Sequence, residues 1–151
     1  MNEFSRSGGH TRAEPDRIQR RIEFRDTDAA GIAHFSVYFN FMEEAEHEFL
    51  RRRGLSVFMR DAEGTMSWPR VAAKCDYSSA VKFEDMITVE TTLARVGAKS
   101  VTFLFQFTHG GREIAKGEIT AVCCRISPDA PPKGIAIPPE IRAKLTGGPL
   151  R

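Results

Sequence analysis

Ser36-Val37-Tyr38-Phe39-Asn40-Phe41-Met42-Glu43-Glu44-Ala45-Glu46-His47-Glu48-Phe49-Leu50-Arg51-Arg52-Arg53 is the strongest helical stretch of the chain. Tyr38, Met42, Ala45 and Phe49 recur at four- and three-residue spacing, and Val37 and Phe41 widen the stripe. That is the pattern of a helix with one broad apolar face. Ser36 is suited to cap its first turn. Arg51, Arg52 and Arg53 suit the negative end of the helix dipole, and Gly54 stops the helix. Some 18 residues would extend about 27 Å. Glu43, Glu44, Glu46 and Glu48 supply polar positions, so one side of this helix must meet solvent or a partner.

Around the helix the sequence turns to strands. Upstream, in Arg17 to Arg25, Ile18, Ile22 and Phe24 share one parity, with Arg20 interrupting the series. This predicts a strand. Asp26 to Phe35 follows as a loop. Downstream, Leu55 to Thr65 reads as an irregular connection, and four strands come after it: Trp68 to Tyr77, Met86 to Val96, Val101 to Thr108 and Arg112 to Ile126. Ile87, Val89, Thr91 and Leu93 alternate against Thr88, Glu90 and Thr92, while Val101, Phe103, Phe105 and Phe107 share a face. Gly97-Ala98 and Gly110-Gly111 mark short turns, which imply antiparallel neighbours. The fold class is therefore α+β: one long central helix wrapped by a curved five-stranded antiparallel sheet. A lone copy would leave a sheet edge open, so a homodimer is expected at minimum.

Composition narrows the function classes. The chain has 151 residues, with 41% hydrophobic and 28% charged, as in an ordinary soluble domain. A net charge of +2 gives no basic excess for a nucleic-acid partner. Cys75, Cys123 and Cys124 form no CxxC pair, which signals neither disulfides nor zinc. They suit reduced thiols in a cytoplasmic protein. No apolar run reaches the roughly 20 residues of a membrane span. Residues 1–16 are polar and read as a mobile leader, 17–127 as the folded domain, and 128–151 as a tail. That tail holds six of the eight prolines, and Pro139 to Leu145 is a candidate short helix with proline at its start.

Chemistry concentrates in Asp26-Thr27-Asp28-Ala29-Ala30-Gly31, which ends a strand and precedes the helix. A carboxylate here lies near unpaired backbone N–H groups and the positive helix end. Such a place suits a nucleophile or base beside an oxyanion site. It equally suits an aspartate pair that merely shapes a turn. A calcium loop counted from Asp26 would need ligands at Ala30 and Val37, so that reading fails. Glu44 and His47 have the spacing of a carboxylate-bridged metal site, but such sites need a second copy on a facing helix. No metal and no cofactor are expected.

The run Ile22-Glu23-Phe24-Arg25-Asp26-Thr27-Asp28-Ala29-Ala30-Gly31-Ile32, with Tyr38 and the long helix behind it, resembles the opening of the 4-hydroxybenzoyl-CoA thioesterase family, shared by the YbgC-type acyl-CoA thioesterases. Asp76-Tyr77, the stretch Phe83 to Thr91, and Lys99-Ser100-Val101 carry the likeness on to about Ile126. The resemblance implies a hotdog fold, paired subunits with sites at the dimer interface, and often a homotetramer. It implies hydrolysis of an acyl-CoA thioester, with Asp28 as the catalytic carboxylate and the Phe35 N–H holding the thioester carbonyl. Asp26 then reads as structural. Gly31, Tyr38 and Phe39 are candidates for substrate contact, and ordinary core packing explains Tyr38 and Phe39 equally well. Lys99 matches a position that can face the CoA phosphates, Arg95 more weakly, against a plain solvated lysine. Two residues depart from the family pattern: Val37 stands where asparagine is frequent, and His34 where an aromatic is usual, with no role assigned to it. The alternative is a non-catalytic acyl-CoA-binding protein of the same fold. A hydratase would need a differently placed His/Asp pair, which is not found.

Overall fold

A computed structural model describes residues 16–149; the expected leader lies almost wholly outside that range. In chain order the elements are β1 (Asp16–Arg21), a 3₁₀ turn (Phe24–Asp26), α1 (Val37–Arg51), β2 (Phe58–Asp61), β3 (Gly64–Ser67), β4 (Arg70–Tyr77), β5 (Met86–Val96), β6 (Ser100–His109), β7 (Arg112–Val122), β8 (Cys124–Ser127), β9 (Ala130–Gly134) and α2 (Pro139–Thr146). One sheet has the order β1-β5-β6-β7-β4 and a second the order β2-β3-β8-β9. Every pairing in both is antiparallel.

Helix α1 packs on one face of the larger sheet and reaches β1, β4, β5 and β7. Its buried residues include Tyr38, Phe41, Met42, Ala45 and Phe49. The sheet answers with Ile87, Val89, Phe103, Phe105, Phe107 and Ile119, each at most 4% exposed. Alternate residues of β5, β6 and β7 point the same way, which is why one hydrophobic set per strand suffices. Burying each such side chain stabilises by about 1.5–3 kcal/mol. Phe49 meets Phe103 edge-to-face with centroids 5.5 Å apart.

Gly117 makes room for the Met42 side chain of the helix. A Cβ there would stand 2.1 Å from Met42 Sδ, well inside contact distance. At the far end, Gly54 N–H donates to Arg51 O and Leu55 N–H to Leu50 O, the paired bonds of a Schellman stop.

Several expectations need correction. Phe24 is 77% exposed, because β1 ends at Arg21 and the 3₁₀ turn breaks the two-residue parity. Ser36 has αR geometry and no side-chain cap bond to the helix. Arg53 is not a solvated helix-end cation. It is buried, grips both oxygens of Asp16 at 2.9 Å, and donates to the Phe49 and Gly147 carbonyls. The predicted strand Arg112 to Ile126 is two strands: Cys123 and Cys124 are consecutive buried residues, so the alternation fails where the chain leaves one sheet for the other. The second sheet was absent from the sequence reading. Its β2 and β9 come from segments read as connection and tail, and both are short and mostly exposed.

Glu46 also differs from expectation. It is 1% exposed and accepts from Arg70 at 2.8 Å. Burial pushes its carboxyl above the ordinary value of 4.5, with Arg70 offsetting part of the effect. The folded state thus holds this proton more tightly than the unfolded chain. Its contribution to stability is greatest below the unfolded value and is lost as pH rises through the folded one.

Gly117→Ala should lower unfolding free energy by about 1–3 kcal/mol, as overpacking does, and Met42→Ala in that background should recover part of the loss; urea titration of the two single variants and the double variant measures the coupling. As pH rises above 4.5, the ordinary value of this carboxyl, Glu46→Gln should lose less stability than the unsubstituted chain, read from urea midpoints, because the variant has no carboxyl to titrate.

Candidate active site

The loop between β1 and α1 is built from its own polar groups. Glu23 N–H donates to Asp26 Oδ2 at 2.9 Å, and Thr27 Oγ1 donates to Phe24 O at 2.7 Å. Asp26 is only 7% exposed, so its carboxylate is spent on holding the 3₁₀ turn. Thr27 and Ala33 then form an antiparallel bridge, and residues 28–32 close into a tight loop. Asp28 N–H donates to Ile32 O, Gly31 N–H to Asp28 O, and Ala30 N–H to Asp28 Oδ1 at 2.8 Å. Gly31 sits at φ 78°, where a Cβ would strain the backbone even though nothing lies within 4 Å of it. The loop therefore fixes one oxygen of Asp28. Among the described residues Oδ2 has no hydrogen-bond partner.

A second segment anchors this loop from outside. Ala33 N–H donates to Val81 O, and Ile32 bridges Lys82. His34 N–H reaches back to Asp26 O at 2.8 Å. The helix start is then capped by an imidazole: Ser36 N–H donates to His34 Nδ1 at 3.2 Å, and Ser36 Oγ lies 2.7 Å from the same nitrogen. Accepting from an N–H requires a lone pair on Nδ1, so the ring proton belongs on Nε2. This is where the Ser36 hydroxyl goes instead of capping. The His34 ring stacks on Phe35 with centroids 4.5 Å apart.

Phe35 stands out in this series. The N–H groups of His34, Ser36 and Val37 are all engaged. Among the described residues the Phe35 N–H has no hydrogen-bond partner. Its carbonyl is held by Tyr77, whose hydroxyl donates to Phe35 O at 2.6 Å from the end of β4. Tyr77 meets Tyr38 edge-to-face at 5.0 Å, and Tyr38 meets Phe107 at 5.3 Å. Burial, aided by Cys75, pushes the Tyr77 phenol up to about 12, so it stays a donor. Burial likewise raises the Cys75 thiol, which makes it a poor nucleophile.

Between these elements lies a cavity of about 300 Å³. Asp28, Ile32, Phe35, Tyr38, Tyr77 and Ser79 are among its walls. An apolar recess with one carboxylate and a spare backbone donor suits an electrophilic carbonyl carrying an apolar group. Among the described residues no three His, Cys, Asp or Glu side chains are grouped to hold a metal ion. Among the described residues no helix is long and apolar enough to cross a membrane.

Of the residues singled out in the sequence, the cavity brings together Asp28, Phe35 and Tyr38. Gly31 shapes the loop behind Asp28 without lining the cavity. Phe39 packs half-buried against the core. Lys99 lies elsewhere: β1 hands over to the Asp28 loop beside Met86, the first residue of β5, whereas Lys99 follows Val96, its last. Eleven strand residues at about 3.3 Å each separate the two ends by roughly 35 Å. Arg95, beside Lys99, shares that position. Sequence reasoning missed Tyr77 and Ser79. Tyr77 stood within a quoted motif, but no spacing rule links it to Phe35, 42 residues away.

A family model described as the thioesterase-like superfamily matches residues 22–145. The acyl-CoA thioesterase YbgC of Haemophilus influenzae is 25% identical over 123 residues, covering 82% of this chain and 88% of that protein. The 4-hydroxybenzoyl-CoA thioesterase of a Pseudomonas species is 28% identical over 85 residues, 55% of this chain and 60% of that one. A solved gentisyl-coenzyme A thioesterase superposes with a TM-score of 0.74 at 28% identity, covering 86% of this chain and 99% of that one.

Proposed function

This chain belongs to the thioesterase-like superfamily, and from that premise we propose that it hydrolyses an acyl-CoA thioester to a carboxylic acid and CoA. The observation that supports the reading is a cavity whose lining includes both Asp28 and Phe35, just before the first turn of α1. The three relatives named above are all thioesterases of CoA esters by name, and this chain has the hotdog-like arrangement of a helix on an antiparallel sheet.

In this mechanism the acyl group enters among Phe35, Tyr38 and Tyr77. The thioester carbonyl oxygen accepts from the Phe35 N–H, and the helix dipole adds to that polarisation. A donor aimed at the developing oxyanion is worth about 3–4 kcal/mol of barrier. Asp28, with Oδ1 tied to Ala30 N–H, presents its other oxygen to the carbonyl carbon or to a water attacking it. The tetrahedral intermediate collapses by expelling the thiolate of CoA; where Asp28 has attacked, water then hydrolyses the aspartyl anhydride to the acid, and where water has attacked, the proton taken by Asp28 passes to the thiolate.

The working unit is a homodimer, assembled further into a dimer of dimers. Strand β4 supports the first step: it is an edge of the larger sheet, and Val71 on it is 63% exposed. Phe35, 64% exposed, and Tyr77, 46% exposed, lie beside that edge. Open strand edges with apolar side chains are templates for another strand. Lys99 is too far from Asp28 to serve the same cavity, so the Lys99 that meets the CoA phosphates comes from a second copy.

Release of thiol from a panel of aromatic and straight-chain acyl-CoA esters, followed with a thiol-reactive dye, tests the reading. The unsubstituted chain should turn over at least one ester. Asp28→Ala should fold normally and lose about 10³-fold in kcat, within the range for a lost acid–base group; equal rates in both would remove Asp28 from the mechanism. Lys99→Ala should raise KM for the CoA ester about tenfold, the equivalent of one charge-assisted contact of about 1.4 kcal/mol. It should leave the S-acyl-pantetheine ester, which lacks the nucleotide phosphates, unchanged.

A further inference from the structure

We propose that Tyr77 is a positioning residue for the thioester carbonyl: its ring lines the acyl cavity, and its hydroxyl acts on the carbonyl only through the backbone of Phe35. This rests on the thioesterase reading and extends it. The Phe35 residue contributes two peptide groups that flank one Cα. Among the described residues its N–H has no partner, and its carbonyl is bonded by Tyr77 across 42 residues of sequence at 2.6 Å. The peptide that carries the N–H is anchored at His34 O, which accepts from Val37 N–H; Tyr77 anchors the peptide that follows, so the two bonds hold Phe35 from both sides.

Tyr77 adds a long-range constraint to several local ones. On the near side, His34 N–H is tied to Asp26 O, which fixes the peptide that enters His34. Ser36 N–H is tied to the His34 ring. Phe35 itself is 64% exposed, so its side chain is not clamped by the core and does not lock its own backbone. A mobile oxyanion donor is a poor one, because the gain comes from donors that need no reorganisation as charge develops.

Tyr77 is itself well held. Its ring rests edge-to-face on Tyr38, a residue 3% exposed on the first turn of α1. Its strand is paired to β7 through Tyr77↔Ala115. The last residue of an edge strand thus reaches across to the first turn of the central helix, and this bond joins the sheet edge to the reacting end of the helix.

Tyr77→Phe removes one oxygen and keeps the ring, so packing on Tyr38 is preserved. Losing an oxyanion donor outright costs about 10²–10³-fold in kcat; loosening it should cost less, roughly tenfold, with KM within about twofold of the unsubstituted enzyme. The second readout is spectroscopic. A non-hydrolysable analogue, an acyl-CoA in which a methylene replaces the thioester sulfur, carries ¹³C at its ketone. On binding the unsubstituted chain, its carbonyl resonance should shift downfield through hydrogen bonding. On Tyr77→Phe it should return part of the way to its free position, while Asp28→Asn should keep the full shift. Unchanged kcat in Tyr77→Phe, or a lower kcat with an unmoved carbonyl resonance and a lowered melting temperature, overturns the proposal and leaves Tyr77 a packing residue. Should the unsubstituted chain release no CoA from any ester, the thioesterase reading fails on its own, and the resonance of the bound analogue still decides the role of Tyr77.

Discussion

An α-helix cannot satisfy its first N–H groups from within, and the organisation of this molecule follows from how that constraint is met. Around Phe35 the chain uses a histidine ring, an aspartyl carbonyl and a serine to occupy the neighbouring donors. Among the described residues the Phe35 N–H has no partner, and Phe35 lines a cavity together with Asp28. An unpaired donor is costly where water is excluded, and Phe35 is 64% exposed. The helix behind it is held by one buried face, and its far end is closed by paired backbone bonds at Gly54 and Leu55.

The sheet sets where that helix end can be. Gly117 lets the Met42 side chain lie against the backbone of β7, and the phenylalanines of β6 fill the space along the helix. With the axis fixed, the loop 28–32 is pinned at both ends, by the Thr27–Ala33 bridge and by the Ile32–Lys82 bridge. Asp26 and Asp28, two residues apart, end in different jobs: one carboxylate is buried in a turn, and the other faces the cavity with one oxygen already engaged.

Much of this was legible in advance. Residues 36–53 announce a helix through apolar spacing, and β5 and β6 announce themselves through alternation, because each element buries one face of a regular repeat. The second sheet was not legible. Its strands are four or five residues long; β9 reads Ala-Pro-Pro-Lys-Gly, with two prolines and a glycine, which strands disfavour. Glu46 was misread for a related reason: periodicity ranks a carboxylate as surface, and only Arg70, 24 residues away, explains its burial. At the candidate site, Asp28, Phe35 and Gly31 come from one continuous stretch and could be named together, whereas Tyr77 could not.

What the sequence determined by itself is therefore local and repetitive: the helix, its apolar face, the long strands, and a loop whose residues resemble those of a known family. Tertiary structure alone decided which distant residues share a space. It brought the Tyr77 hydroxyl to the Phe35 carbonyl, sent Lys99 to the far end of β5, and turned Glu46 inward to Arg70. The reason is physical. Side-chain periodicity records which way a residue points along its own element, while contacts between elements depend on register, curvature and packing distance, which no repeat in the chain encodes.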